Sequence, residues 1–198
     1  MTDNFSLLNE PRRPWLEPET LKETFLTRSA AVHPDRVHNL SAAERENAQQ
    51  RYTELNAAYN SLREPRLRLR HLLELELGKK PSDLTQVPDD LMELFFVIGK
   101  NLREADAFLA EKEQASSPLI KVQLFGRGMD WTETLGKLQQ QISARRAALV
   151  EDLKTLDAAW SSPPAPATLA QLENLYRLFS YFDRWLAQLA ERSARLSF

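Results

Sequence analysis

Between Pro18 and Arg63 the chain carries two runs of apolar residues at helical spacing, and the break between them is His33-Pro34-Asp35. Upstream, Leu21, Phe25, Ser29 and Val32 recur at intervals of three and four; downstream, Tyr52, Leu55, Tyr59 and Leu62 do the same. That period marks one buried face on each of two helices. A residue that precedes proline is pushed out of the helical region, so the first helix is expected to end at His33. Ser41-Ala42-Ala43-Glu44 has the form of a capping box, in which Ser and Glu satisfy the free N–H groups that open a helix. The two runs predict a helical hairpin whose loop, 33–41, carries a His, a rigid Pro and a carboxylate at its tip.

The remaining elements are also helical. Phe5-Ser6-Leu7-Leu8 is a short apolar turn or helix suited to pack on the hairpin, followed by a loop punctuated by Pro11 and Pro14. Pro65 opens a third helix that runs to Leu77 and stops at Gly78. Gly78 to Pro88 reads as a linker. Asp89 or Asp90 caps the next helix, whose seam is Leu91, Leu94, Ile98, Leu102, Ala105 and Leu109. Ser116-Ser117-Pro118 ends it, and 118–130, with Gly126 and Gly128, is expected to be a long connection with at most one helical turn. A second long helix is expected from Trp131 to Trp160, on a seam of Leu135, Leu138, Ile142, Leu149, Leu153, Leu156 and Trp160. After a proline-rich turn at 161–166, the last helix carries Leu169, Leu172, Leu175, Phe179, Phe182, Leu186 and Leu189. No stretch alternates as a strand does. Long amphipathic helices with short joints imply an antiparallel bundle. The expected fold is therefore all-α: an N-terminal hairpin domain at 1–77, a linker at 78–88 and a three-helix bundle at 89–198.

Composition narrows the function. Hydrophobic residues make up 42% of the 198, enough for a packed core. Cysteine is absent, which excludes disulfides and cysteine zinc sites and fits a reducing compartment. The opening Met1-Thr2-Asp3-Asn4 has neither the basic and apolar regions of a signal peptide nor the bias of a transit peptide. The longest apolar run, Leu94 to Ile98, is too short to span a bilayer. A soluble cytoplasmic protein is expected. A net charge of -2, with cations and anions interspersed, lacks the footprint of a nucleic-acid binder. None of the five glycines belongs to a phosphate-binding loop, so any ATP hydrolysis linked to this chain occurs on another protein. No Ser/His/Asp or paired-carboxylate spacing points to an enzyme. His33, Asp35 and His38 are a conceivable metal set, but no cysteine supports it, and no metal or cofactor is expected.

The chemistry of the hairpin tip suits docking. Pro34 fixes one torsion and so lowers the entropy lost when a partner binds. Asp35 can accept a bidentate bond from an arginine, and His33 can donate or accept. The tripeptide alone is ordinary turn chemistry; the flanking helices favour the docking reading. Three further pieces stand in place: Asn56-Ala57-Ala58-Tyr59 with Leu62, Pro65 with Arg70-His71-Leu72-Leu73, and Phe5-Ser6-Leu7-Leu8 with Pro11.

With the hairpin, these resemble the J-domain, and more narrowly the HscB co-chaperones of iron–sulfur cluster assembly. The resemblance is clear up to about Leu77 and looser beyond. It implies a J-domain followed by a three-helix bundle, no catalysis of its own, and docking of His33, Pro34 and Asp35 on a DnaK/HscA-class ATP-dependent chaperone whose hydrolysis it stimulates. It also implies a basic docking face, for which Lys22, Arg28 and Arg36 are the candidates. Glu19 and Glu23 offset them, and Val32 stands where the family usually has Tyr.

The second site implied by the resemblance binds an IscU-like scaffold through Leu91, Met92, Phe95 and the aromatic Tyr181. The stretch Leu91–Ile98 is apolar on nearly every side for two turns, more than one bundle stripe requires. The excess is buried either on the N-terminal domain or on a partner, and both readings stand. Phe96-Val97-Ile98-Gly99 replaces the charged segment that HscB proteins have there. Two alternatives follow: a J-domain co-chaperone with a different client, or a helical assembly protein with a vestigial hairpin. A monomer is favoured.

Overall fold

The computed structural model describes residues 2–36, 39, 41–81 and 87–196, with Pro34 described by its backbone alone. Seven α-helices are present among them: α1 (Asn4–Leu8), α2 (Pro18–Ala31), α3 (Ala42–Arg63), α4 (Pro65–Leu77), α5 (Met92–Gln114), α6 (Pro118–Ala158) and α7 (Pro166–Leu196). Two single 3-10 turns, Pro34–Arg36 and Asp89–Leu91, complete the order, and no strand occurs among the described residues. The fold is all-α, as the sequence predicts.

Local sequence accounts for the helix ends. Asp3 caps α1 by accepting from the Phe5 and Ser6 N–H groups. Ser41 and Glu44 form the expected capping box at the start of α3. Pro18 and Pro65 stand in the first turns of α2 and α4, where a missing N–H costs nothing. Gly78 ends α4 with φ 66°, a left-handed conformation that favours glycine.

Two compact units divide the chain: Met1–Ser82 with Val150–Tyr176, and Asp83–Leu149 with Arg177–Phe198. The sequence reading placed all of 89–198 in one bundle. In the structure the end of α6 and the start of α7 fall in the same unit as the hairpin. Residues 82–86 of the expected linker lie outside the described residues.

In the first unit, Phe5, Leu8, Leu21, Leu55, Ala58, Leu62, Leu69, Leu72 and Leu73 form the core. Phe25 of α2 stacks on Tyr59 of α3 at 4.4 Å and 10°, which holds the hairpin closed. Asp157, near the end of α6, accepts from Arg13 through both carboxylate oxygens and from the Trp15 N–H at 3.0 Å. The Trp160 indole N–H donates to the Arg12 carbonyl at 2.9 Å. This clasp fixes the proline-bounded loop before α2. Beneath it, Arg68 is buried and donates to the Pro14 and Leu62 carbonyls at 2.7 and 2.6 Å. Burial pulls its pKa down to about 10, against the opposing pull of Asp157 and Glu64. The Arg68 guanidinium lies over the Trp15 ring at 5.7 Å, a contact suited to a cation with few water neighbours.

The second unit packs Leu94, Ile98, Leu102, Ala105 and Leu109 of α5 against Leu135, Leu138 and Ile142 of α6 and Phe179, Phe182 and Leu189 of α7. Ion pairs pin the register. Arg192 makes a bidentate pair with Asp106 at 3.1 and 3.0 Å, and Arg146 meets Asp183 at 2.7 Å.

The expected connection at 118–130 is instead the first three turns of α6, which begins at Pro118 and not at Trp131. Gly126 and Gly128 each cost a helix about 1 kcal/mol relative to Ala. Tertiary contacts outweigh that. Leu124 is buried in the unit's core, a gain of about 1.5–3 kcal/mol for a leucine. Arg127 donates to Glu111 of α5 at 2.7 Å and covers the Phe108 ring at 5.0 Å. Gly128 lies against the same ring, and a Cβ there would meet it at 3.7 Å, an ordinary contact distance. The same helix ends at Ala158, two residues before the expected Trp160.

Candidate functional site

The hairpin tip is built from three successive constraints. Helix α2 ends at Ala31, and Val32 closes it through an N–H bond to the Ser29 carbonyl at 3.2 Å. Pro34–Arg36 then forms one 3-10 turn, with the Arg36 N–H on the His33 carbonyl at 2.9 Å. Within the turn, the Asp35 N–H donates to His33 Nδ1 at 3.2 Å, and the Asp35 carboxylate stands 3.6 Å from the same nitrogen. Tyr52 of α3 meets the His33 ring edge-on at 5.4 Å and 87°. His33 is therefore held from behind, while the Asp35 side chain is 89% exposed. The arrangement offers a carboxylate on a short, braced turn to an incoming cation. His38 lies outside the described residues. Among the described residues no group of three His, Cys, Asp or Glu side chains is placed to hold a metal ion.

The expected basic face is not gathered in one place. Lys22 is exposed and pairs with Glu19 at 3.6 Å. Arg28 follows six residues later, which is about 120° around a helix, and it is half-buried on the other flank. Arg36 is exposed beside the tip. Two neighbours were missed by the sequence reading. Tyr52 sits on the core seam by period, yet its exposed edge braces His33. Leu26 interrupts the polar side of α2 and is exposed.

The apolar stretch at the start of α5 divides in two. Leu91, Leu94 and Ile98 are buried, and so is Tyr181, which packs on Trp185 at 5.6 Å. Met92 is half-buried. Phe95, Phe96 and Val97 are exposed, Phe96 to 64%, and the two phenyl rings touch edge-on at 5.7 Å. The structure thus brings Met92 and Phe95 to the surface with Phe96 and Val97, and places Leu91 and Tyr181 in the interior. Turn geometry gives the reason: Leu91, Leu94 and Ile98 share the core stripe, Phe96 falls nearly opposite its centre, Val97 about a quarter-turn from it, and Phe95 at its edge, which matches the greater exposure of Phe96.

No helix of the described residues is long and apolar enough to cross a membrane. No family model matches the chain. By sequence, the chain is 46% identical over 72 residues to a co-chaperone protein HscB homolog of Bordetella pertussis, covering 36% of this chain and 42% of that protein. It is 33% identical over 91 residues to the HscB homolog of Chromobacterium violaceum, covering 46% of this chain and 52% of that one. The matches thus span about half, or less, of the length of these curated relatives.

By structure, the chain is similar to the chaperone HscB from Vibrio cholerae, with a TM-score of 0.63 and 19% identity over 96% of both chains. It is also similar to the human co-chaperone protein HscB, with a TM-score of 0.60 and 18% identity over 98% of this chain and 81% of that one. The fold is the all-α architecture of these HscB structures, an N-terminal J-domain followed by a helical bundle. The curated sequence matches over the N-terminal part of the chain carry the same name.

Proposed function

We propose that this chain is a J-domain co-chaperone that docks on a DnaK/HscA-class chaperone through His33, Pro34 and Asp35, stimulates its ATPase, and delivers an IscU-like iron–sulfur scaffold. The observation that carries this reading is the braced tip: an Asp35 carboxylate 89% exposed on a turn whose His33 is held by Tyr52. A carboxylate presented this way meets an arginine at low entropic cost. Lys22 and Arg36 add positive charge for an acidic chaperone surface, and Arg28 lends support from its half-buried flank. The chain is an activator and not the catalyst, it needs no cofactor, and its site of action is the cytoplasm, where such chaperones meet their clients.

The test is ATP turnover by DnaK- and HscA-class chaperones with and without the protein, beside His33→Gln. Stimulation that the substitution abolishes supports the reading. A folded wild-type protein that leaves turnover unchanged refutes it.

Delivery rests on Met92, Phe95, Phe96 and Val97, the exposed apolar side of α5, with Leu91 and Tyr181 supporting it from the interior. Calorimetry against an IscU-like scaffold tests this, with Phe95→Ser expected to weaken binding at least tenfold. A second reading keeps the co-chaperone and changes the client. The exposure of Phe96 and Val97, where HscB proteins carry charge, favours it. Absence of scaffold binding, together with normal chaperone stimulation, would select this second reading.

A further inference from the structure

The end of the second unit where α5 finishes, α6 begins and α7 finishes holds a groove of about 720 Å³. Leu109 and Leu124 form its floor and Phe125 and Met129 one wall. The two wall residues are exposed, and on α6 they run into Leu119 and Val122, also exposed. Leu119, Val122, Phe125 and Met129 are spaced by three and four, so this helix has an apolar face turned away from the core that holds Leu124. A helix with apolar residues on both its inner and outer faces has surface to cover.

The rim is cationic. Lys112 spends one of its three donors on the Leu196 carbonyl at 2.9 Å, which leaves two. Lys121, also at the lining of the groove, is exposed and makes no ion pair among the described residues. The other charged pair at the rim, Arg195 with Glu113 at 2.9 Å, neutralises itself. The groove thus offers an apolar trough with two ammonium groups at its mouth. Its volume lies within the roughly 300–1,000 Å³ of sites that take small organic ligands. A partner helix, roughly 10–12 Å across, would lie over such an opening and leave its floor empty.

We propose that this groove binds a free long-chain carboxylate, with the alkyl chain along Leu109, Leu124, Phe125 and Met129 and the carboxylate between Lys112 and Lys121. The site shares no residue with the His33–Asp35 tip or the exposed aromatics of α5, so it stands or falls independently of the co-chaperone reading.

Calorimetry of the full chain with sodium laurate, kept below its micelle concentration, tests the proposal. A single site is expected. Lys121→Glu should weaken it at least tenfold, Phe125→Asp at least tenfold, and octanoate should bind on the order of a hundredfold more weakly than laurate, since each of the four methylenes removed costs about fourfold. Both substituted residues are exposed, so far-UV circular dichroism should show both variants folded. Four results would overturn the proposal: no laurate binding; dodecanol binding as tightly as laurate; affinity unchanged by Lys121→Glu; or loss with Phe96→Ser in place of Phe125→Asp, which would put the amphiphile on α5. Binding to vesicles of anionic phospholipid without binding of free laurate would also overturn it, in favour of a membrane surface.

Discussion

Removing the Asp157 carboxylate should release the loop between α1 and α2 while leaving every helix-forming residue in place. Asp157 is 7% exposed and is a common acceptor for the Arg13 guanidinium and the Trp15 N–H. In Asp157→Ala the half-buried Trp15 N–H loses its bond to the carboxylate, a cost of about 1–3 kcal/mol. Arg13 is 44% exposed and regains water, so its lost pair is discounted to about 0.5–1 kcal/mol. Buried Arg68 also loses the carboxylate that favours its charge, which places the total at about 2–4 kcal/mol. For a chain of this size that lowers Tm by roughly 5–12 °C. Asp157→Asn keeps one acceptor oxygen and should lose about half as much. Arg13→Ala, which leaves the Trp15 bond intact, should lose about 1 kcal/mol. Urea unfolding of the three variants checks both size and order. An Asp157→Ala loss below 0.5 kcal/mol, or Arg13→Ala as costly as Asp157→Ala, would refute the reasoning that the acceptor matters more than the ion pair.

Tyr52→Ala removes the ring that braces His33; an aromatic pair of about 0.5–1.5 kcal/mol corresponds to a two- to twelvefold weaker apparent affinity in the chaperone ATPase titration, with the maximum rate kept. His71 is buried and its Nε2 accepts from the Asn4 N–H at 3.0 Å; burial pushes its pKa below the ordinary 6.5, against the Asp3 and Glu74 charges. The unfolded chain therefore binds the proton more readily, and stability is full above about pH 6.5 and falls as pH drops below that value through the folded pKa. Urea midpoints at pH 7.5 and 5.0 should show this fall, and His71→Gln, which keeps an acceptor for Asn4, should shrink it. Asp3 contributes separately and later: burial raises its pKa, but bonds from Ser6 and Arg12 outweigh that and hold it below 3.8, so its share is lost only in stronger acid. Gly128→Ala places a Cβ at ordinary contact distance from Phe108 and should raise stability by about 0.5–1 kcal/mol, whereas Gly78→Ala, at φ 66°, should lower it by about 1 kcal/mol; thermal melts separate the two signs.

The hairpin was legible because its signals are local. The capping box at Ser41, the prolines at 18 and 65 and the glycine at 78 act on their own neighbours, and each sits where the sequence places it. What the sequence hid is long-range. Arg13 and Asp157 are 144 residues apart, and no pattern near either announces the other. The start of α6 was obscured by two glycines, whose local penalty is real but smaller than the burial of Leu124 together with the contacts of Arg127 with Glu111 and Phe108. At the α5 patch, the run of apolar residues was legible as more than one stripe requires, but not whether the excess packs on the N-terminal domain or stays at the surface, where the structure has Phe95, Phe96 and Val97. The division between interior Leu91 and exposed Phe96 was also available from helical angle alone. So was the separation of Lys22 from Arg28.

The bond from the Asp35 N–H to His33 Nδ1 has a consequence for what the tip can say to a partner. A nitrogen that accepts a hydrogen bond carries no proton, so in neutral His33 the proton resides on Nε2. The loop then presents a donor, Nε2–H, and an acceptor, the Asp35 carboxylate, on a single turn. The tip is a two-letter message whose spelling depends on one tautomer.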